Sequence, residues 1–258
     1  MTISYFHVDA FTGEGLLGNP AAVCPLKEWL PDAELQRRAA EHNLSETAYF
    51  VAEGKGYHIR WFTPAVEVDL CGHATVAAAH VLFHHLGQKG ARLEFQSKSG
   101  TLLVDRQDDL LVLDFPSRPP VRCDLPEELR EALPILPLEC WKARDYMVTY
   151  GSRDEIAALQ PDFAWLTKLA AVGIIATAPG HGEDFVSRFF APRSGILEDP
   201  VTGSAHCTLV PHWAGLLGKT KLHARQISPR GGELFCELHG DRVHLGGRAR
   251  TYLHGEIL

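Results

Sequence analysis

The chain lacks the features that mark membrane, secreted and nucleic-acid-binding proteins. None of its uncharged apolar runs reaches about 18 residues, the length that a membrane-spanning helix needs. Its first residues are interrupted by His7 and Asp9, where a secretory signal would be apolar. The net charge is −7, and no cluster of Lys or Arg is present to attract nucleic acid or an anionic membrane. These absences predict a cytoplasmic protein.

The six cysteines have neither a CxxC motif nor paired spacing. We therefore expect reduced thiols, which is the usual state in the cytosol. The sequence also has no low-complexity tract, and 45% of its 258 residues are hydrophobic, enough to build a buried core. A chain of this length suits one large domain or two of about 120 residues each.

Common cofactor and metal motifs are absent or out of context. Gly13 to Gly18 reads GxGxxG, but Asn19-Pro20 follows where a dinucleotide-binding helix would begin, so we predict a loop and no NAD. His80 and His84 are four residues apart on a predicted helix, yet Val81 stands where zinc proteases carry glutamate. No GxSxG hydrolase motif occurs. We predict neither a metal nor a cofactor.

Two glycine-centred segments are the most informative features that are present. Residues 69–75 read DLCGHAT and residues 198–206 read EDPVTGSAH, and in each a single glycine, Gly72 or Gly203, precedes a predicted helix. A glycine at a helix start lets a ligand approach bare backbone N–H groups, and the helix dipole attracts anions there. The two segments predict two anion-binding positions.

The same two segments indicate an internal duplication. Gly72 and Gly203 are 203 − 72 = 131 residues apart. The matching segments that begin at Gly100 and Gly232, within predicted hairpins at 92–114 and 222–245, are 232 − 100 = 132 residues apart. Two separate matches at nearly one offset favour two similar domains over a chance likeness of two Gly-rich turns. Paired prolines at 119–120 resist helix and sheet and predict a linker. We place the domains at 1–117 and 118–248, with a last strand, 249–258, that returns to the first domain.

Glu46 is the carboxylate that best suits acid–base chemistry. On a predicted strand it shares one face with Ala48 and Phe50, so a buried position and a water-facing edge position both remain open. Asp199 and His73 each precede or open a helix, where either could be an ordinary polar or capping residue. Ser204 opens the second helix, where its hydroxyl and N–H could meet a ligand. Together, facing across a cleft between the domains, these residues would form an acid–base site.

Four motifs give the chain a resemblance to the PhzF-like family of phenazine-biosynthesis isomerases. They are Gly18-Asn19-Pro20-Ala21-Ala22-Val23, Leu44-Ser45-Glu46-Thr47-Ala48, Cys71-Gly72-His73-Ala74-Thr75 and the segment Glu198 to Ala205. Their order and spacing cover nearly the whole chain. The resemblance implies the diaminopimelate-epimerase fold, a mixed α/β (α+β) architecture of two pseudo-symmetric domains. Each domain is a curled mixed sheet around a central helix, and the active site lies in the interdomain cleft.

The resemblance also implies the chemistry. It assigns the catalytic base to Glu46, supporting roles to His73, Asp199 and Ser204, and carboxylate-binding amides to Gly72 and Gly203. The reaction would be a cofactor-independent proton shift on a small carboxylate-bearing metabolite, and the protein would be a homodimer. Ala74 stands where the phenazine enzymes carry proline, and residues 228–232 replace a Gly-Arg-Pro-Ser stretch. The resemblance is therefore to a broad branch of the family, and it leaves the substrate open.

Two other functions remain open from the sequence. Cys71 stands where proline racemases and diaminopimelate epimerases place a catalytic cysteine, although residues 198–204 supply no second thiol. Cys207, one turn into the second helix, is better suited to a buried apolar role. The chain could also bind a small acid or a protein without catalysis.

Overall fold

The computed structural model describes residues 2–258 of the chain. Its residue contacts divide the chain into two compact units, Met1–Asp114 with Gly246–Leu258, and Phe115–Leu245. That each unit folds as an independent domain stays a prediction. No helix among the described residues is long and apolar enough to cross a membrane.

The elements follow one another in two runs. The first run is β1 (Ile3–Thr12), β2 (Asn19–Leu26), α1 (Asp32–His42), β3 (Glu46–Glu53), β4 (Gly56–Phe62), β5 (Glu67–Val68), α2 (Gly72–His84), β6 (Arg92–Ser97), β7 (Gly100–Gln107) and β8 (Leu110–Pro116). The second run is β9 (Val121–Cys123), α3 (Glu127–Ala132), β10 (Glu139–Lys142), β11 (Tyr146–Thr149), α4 (Arg153–Ala157), α5 (Phe163–Leu166), β12 (Ile174–Pro179), β13 (Phe185–Ala191), a 3₁₀ turn at Pro192–Ser194, β14 (Ile196–Asp199), α6 (Gly203–Leu217), β15 (Lys221–Gln226), β16 (Gly232–His239) and β17 (Arg242–Ile257).

The strand pairing of the first unit combines parallel and antiparallel ladders. β1 is antiparallel to β2, β2 is parallel to β3, and β3 is antiparallel to β4. β4 is antiparallel to β5 and parallel to β6, and β6 is antiparallel to β7. The other edge of β1 pairs with the end of β17, where Ala10 lies opposite Ala249 and Ile3 opposite Ile257.

The second unit repeats this order strand for strand. β10 is antiparallel to β11, β11 is parallel to β12, and β12 is antiparallel to β13. β13 is antiparallel to β14 and parallel to β15, and β15 is antiparallel to β16. Because α2 and α6 also hold the same place in this order, the predicted pseudo-symmetry of the two halves is confirmed.

The central helix of the first unit is almost completely buried, and that of the second unit is buried over most of its length. Every residue of α2 from His73 to Phe83 is buried, and α2 packs against β1, β2 and β3. The run of small residues at Ala77, Ala78 and Ala79 lets strands approach the helix closely, as the sequence predicts. In α6 the residues Leu209, Val210 and Trp213 are buried in the same way. The structure thus places one apolar helix inside each unit.

The predicted elements are correct in kind, but several short ones were missed. The region predicted as one hairpin, 92–114, forms three strands, β6, β7 and β8. The strands β9, β10, β11 and β14 were not predicted; each has only three or four residues. A segment so short cannot show an alternating pattern long enough to recognise.

Candidate functional site

Glu46 is the first residue of β3, directly after the turn that ends α1. That turn is made by Asn43, which adopts a left-handed backbone conformation with φ of 49°. Ala48 and Phe50 lie on the same face of β3 and are buried, and only 14% of the Glu46 side chain is exposed. Of the two positions that the sequence left open, the structure shows the buried one.

His73 enters the same region from the start of α2. Cys71 is the N-cap residue in an extended conformation, and its side chain makes no capping hydrogen bond to the helix. Gly72 and His73 are the first two helical residues, and the His73 side chain is only 6% exposed. The backbone N–H groups of the first turn of a helix have no partner within the helix, so they suit an anionic ligand.

Glu46 and His73 face each other through one pair of atoms. Nε2 of His73 lies 3.1 Å from Oε2 of Glu46, an ion-pair distance. The alignment does not meet hydrogen-bond geometry, and both atoms are buried without a hydrogen-bond partner among residues 2–258. Buried polar atoms are nearly always paired. Apart from this charge contact the two atoms have no hydrogen-bond partner among the described residues, so each retains hydrogen-bonding capacity for a ligand.

The other edge of the His73 ring is held by Asn19 and Cys71. Nδ2 of Asn19 lies 3.2 Å from Nδ1 of His73, and Sγ of Cys71 lies 3.5 Å from the same atom. With the amide in this orientation Nδ1 accepts, and the ring hydrogen is on Nε2, toward Glu46. Ser45 Oγ donates to Oδ1 of Asn19 over 3.2 Å. If the His73 ring is protonated, the Asn19 amide can rotate so that its oxygen accepts from Nδ1. Ser45 Oγ can then accept from the amide nitrogen, because a hydroxyl can donate or accept.

Gly18, the residue before Asn19, occupies a position that only glycine can take. Gly18 has φ of 73°, and a Cβ built on it would lie 2.4 Å from the carbonyl oxygen of Ala10. Only glycine fits such a close approach of two backbones. The upstream Gly13 and Leu16 form an isolated antiparallel bridge, so the GxGxxG text is a turn between β1 and β2, as predicted.

The protonation of this cluster is set by burial and by charge. Burial by itself lowers the pKa of His73, but its electrostatic and hydrogen-bonding interactions with Cys71 and Glu46 outweigh burial and raise that pKa well above its ordinary value. Burial also raises the pKa of the Cys71 thiol. The two shifts favour the protonated imidazolium of His73 and the protonated thiol of Cys71.

Glu46, Cys71 and His73 are also the residue types that bind metal ions. Their ligand atoms lie within 4.8 Å of one another. However, the sulfur approaches Nδ1 of the imidazole whereas the carboxylate approaches Nε2. A metal ion takes only one ring nitrogen of a histidine, so the closest atoms do not converge on one point. That the protein uses no metal stays a prediction.

In the second unit, Asp199 is fixed beside the start of α6. It ends β14, and its Oδ2 accepts a short hydrogen bond from the hydroxyl of Thr202, the N-cap residue. The buried Gln226 donates to the backbone oxygen of Asp199 over 2.7 Å and accepts from the Thr202 N–H over 2.8 Å. Asp199 is thus held by the residues around it and is not itself the N-cap residue.

Ser204, the second residue of α6, contacts an arginine that the sequence did not indicate. Nη2 of Arg144 donates to Ser204 Oγ over 2.9 Å and to Oδ2 of the buried Asp145 over 2.7 Å. Because Oγ accepts from Arg144, the hydroxyl hydrogen of Ser204 is directed elsewhere and can be donated to a ligand. Arg144 follows an unpredicted strand, β10, and no motif marks it.

The other histidine and cysteine candidates do not form a catalytic cluster. Nε2 of His80 contacts Thr251 Oγ1 at 3.0 Å, and burial lowers the pKa of His80 to about 4. Its ring lies 4.5 Å from the ring of His84, but the pair gains no third metal-binding side chain among the described residues. Cys207 is buried in α6, in agreement with an apolar role.

Comparisons with known proteins agree with this architecture. The sequence profile of the phenazine biosynthesis-like protein family, PhzC–PhzF, matches residues 8–255. An uncharacterized isomerase of Pseudomonas aeruginosa is 51% identical over 258 residues, which cover 100% of this chain and 99% of that protein. The crystal structure of a PhzF-family protein from Enterococcus faecalis is 46% identical, with a TM-score of 0.97 and complete coverage of both chains.

A more distant structure shares the fold alone. The hydroxyproline epimerase of Agrobacterium vitis is 9% identical, with a TM-score of 0.63 over 99% of this chain and 92% of its own. It places the fold among proteins of the epimerase type. The resemblance found in the sequence is thus confirmed, and the chain belongs to the phenazine biosynthesis-like family and is an isomerase.

Proposed function

We propose that the protein moves a proton on a small carboxylate-bearing metabolite without a cofactor, with Glu46 as the single general acid and base. The observation that carries this proposal is the contact of two buried atoms, Glu46 Oε2 and His73 Nε2. They lie 3.1 Å apart, and neither has a hydrogen-bond partner among the described residues. A carboxylate with a free buried oxygen can take a proton from a substrate carbon that comes within hydrogen-bond reach.

His73 keeps this base in its working state. The imidazolium, favoured by the raised pKa of His73, stabilises the Glu46 carboxylate before it takes the proton. Asn19 fixes the ring from the opposite edge. After the transfer, protonated Glu46 delivers a proton to another carbon of the substrate, which completes an isomerisation.

The charge that develops on the substrate needs partners as well. We propose that the N–H groups at Gly72 and Gly203 hold the substrate carboxylate, because both residues open long helices whose N-cap residues make no capping hydrogen bond. Ser204 would donate a hydrogen bond, and Asp199 would orient the substrate and steady charge. Arg144, which contacts Ser204, adds a positive charge to this set.

The two-base racemase has less support from the residues. Burial raises the pKa of Cys71, whereas a catalytic thiolate needs a lowered one. Thr202 is the N-cap residue of α6, the position that corresponds to Cys71 in α2, so the second thiol is missing there. Cys71 therefore remains a possible participant only through its contact with His73.

Deuterium exchange tests the proposal directly. The protein is incubated in D₂O with a panel of small cyclic and amino carboxylates, and the loss of C–H signals is followed by NMR. Exchange that is lost in Glu46→Gln and kept in Cys71→Ser supports one-base isomerisation. The reverse pattern would favour the thiol racemase. Binding of a ligand that Glu46→Gln retains, with no exchange of any compound in either protein, would leave a binding protein and an untested substrate as the two interpretations, and a wider ligand screen would follow.

The homodimer implied by the resemblance is part of the same proposal. Sedimentation velocity of the purified protein tests it, and a mass of one chain across the concentration range would refute it.

A further inference from the structure

Two cysteines that belong to no sequence motif lie directly opposite each other on paired strands of the second unit. Cys123 is the last residue of β9, Cys140 is the second residue of β10, and the antiparallel ladder pairs them one to one. Their sulfur atoms are 3.6 Å apart, and both are free thiols. The spacing of 140 − 123 = 17 residues gives no hint of this contact.

The backbone at this pair already has the geometry that a disulfide requires. Residues directly opposite in an antiparallel ladder have Cα atoms about 4.5 to 5.5 Å apart. Disulfides form at Cα separations of about 4.4 to 6.8 Å. The sulfurs must approach to about 2.05 Å, which rotation of the two side chains can achieve without a change in strand pairing.

The two thiols differ in access. Cys123 is half-buried and Cys140 is buried, and both line a groove with a volume of about 230 Å³, together with Arg122 and Asp124. Burial and the neighbouring Cys123 raise the pKa of Cys140 to about 12. An oxidant in the groove therefore meets Cys123 first, and Cys140 is the protonated neighbour that follows.

We propose that Cys123 and Cys140 form a redox-active dithiol that hydrogen peroxide closes to an intramolecular disulfide. In the first step the Cys123 thiolate attacks one peroxide oxygen, which gives a sulfenic acid and releases hydroxide that is protonated to water. In the second step the Cys140 sulfur attacks the sulfenic sulfur, and its proton leaves with the displaced hydroxide as a second water. Two thiols and one peroxide thus give one disulfide and two waters.

The other four cysteines provide the contrast. Cys24, Cys71, Cys207 and Cys236 are all buried. Burial raises the pKa of Cys207 to about 11 and raises that of Cys71 as well. A thiol that is both buried and protonated reacts slowly with peroxide. The oxidation should therefore be selective for one pair.

Peptide mapping tests the proposal. The folded protein is treated with one equivalent of hydrogen peroxide, its remaining thiols are alkylated, and it is digested with trypsin. Cleavage after Arg122, Arg130 and Lys142 places the two cysteines in separate peptides, 123–130 and 131–142. The expected product is these two peptides joined, with the loss of two hydrogen atoms, and released by dithiothreitol.

Variants make the outcome decisive. Cys123→Ser, at the half-buried position, should abolish the linked peptides, whereas Cys24→Ser should yield them as the unaltered protein does. The proposal is overturned if Cys123 accumulates as sulfinic acid while Cys140 remains alkylatable. It is equally overturned if the linked peptides come from two different chains, which non-reducing electrophoresis would reveal as a dimer.

Discussion

Asn19 and Glu46 contact opposite edges of one imidazole ring, that of His73. The amide nitrogen of Asn19 lies 3.2 Å from Nδ1, and the Glu46 carboxylate lies 3.1 Å from Nε2. Each partner influences the other through the ring, because a proton or hydrogen bond at one nitrogen sets what the second nitrogen can do. Asn19 is therefore a positioning residue for the proposed base.

We expect Asn19→Asp to raise the pKa of His73 further, because a second negative charge would then adjoin the ring. Titration of the imidazole signals by NMR measures the shift, with Asn19→Leu as the uncharged comparison. Asn19→Leu should lower proton exchange by about tenfold or more, since loss of a buried hydrogen-bond partner costs about 1 to 3 kcal/mol. An unchanged titration in both variants would contradict the positioning role.

The ion pair of His73 and Glu46 should make folding stability depend on pH. Because the pKa of His73 in the folded protein lies above that of an unfolded histidine, near 6.5, the pair stabilises most fully below that value. This contribution is lost as the pH rises through the folded pKa. Denaturant unfolding of the unaltered protein and of His73→Gln measures it. The difference between the two free energies of unfolding should shrink with rising pH, and a constant difference would refute the link.

A second buried ion pair should govern the stability of the unit that contains it. Arg188 binds Glu198 through two hydrogen bonds of 2.7 Å and donates to the carbonyl oxygen of Leu159 over 2.8 Å. Arg188→Met would leave the Glu198 carboxylate nearly buried and unpaired, at a cost of about 3 to 5 kcal/mol.

The matched control is the double variant Arg188→Met with Glu198→Leu. It removes both charges and should recover part of the lost free energy of unfolding in urea titrations. If the double variant is less stable than Arg188→Met by the full free energy that Glu198→Leu costs on its own, the two residues act independently.

Arg144 should affect substrate binding more than turnover. If it attracts a substrate carboxylate beside Ser204, Arg144→Ala should raise KM by about tenfold or more, since a hydrogen bond to a charged group contributes about 1.5 to 3 kcal/mol. Lys142→Ala removes an exposed charge two residues away and should leave KM unchanged. Equal effects of the two variants would indicate that Arg144 acts only through the net charge.

The repeated architecture can be predicted from the sequence because glycines occur at matching positions in the two halves. Gly72 and Gly203 open the two central helices, and Gly100 and Gly232 open the corresponding strands β7 and β16. A glycine at a helix start exposes the backbone N–H groups there, and both copies keep that glycine at nearly the same spacing from the glycine that opens the later strand.

The supporting contacts could not be predicted in this way. Arg144 reaches Ser204 from 60 residues away, and Gln226 reaches Thr202 from 24. Contacts of this kind depend on which loops and strand ends the fold brings together, and a single arginine or glutamine carries no local pattern. Asn19 is the intermediate case, because Gly18 marks its position although its partner, His73, is distant in sequence.

The differences between the two repeated halves have a consequence for the stereochemistry of the proposed reaction. The first copy has Cys71-Gly72-His73 where the second has Thr202-Gly203-Ser204, so the imidazole and its carboxylate belong to one copy only. Two identical halves would each supply a catalytic group, as a two-base racemase requires. With the acid–base pair in one copy only, the proposed one-base reaction would remove and return protons on a single face of the substrate.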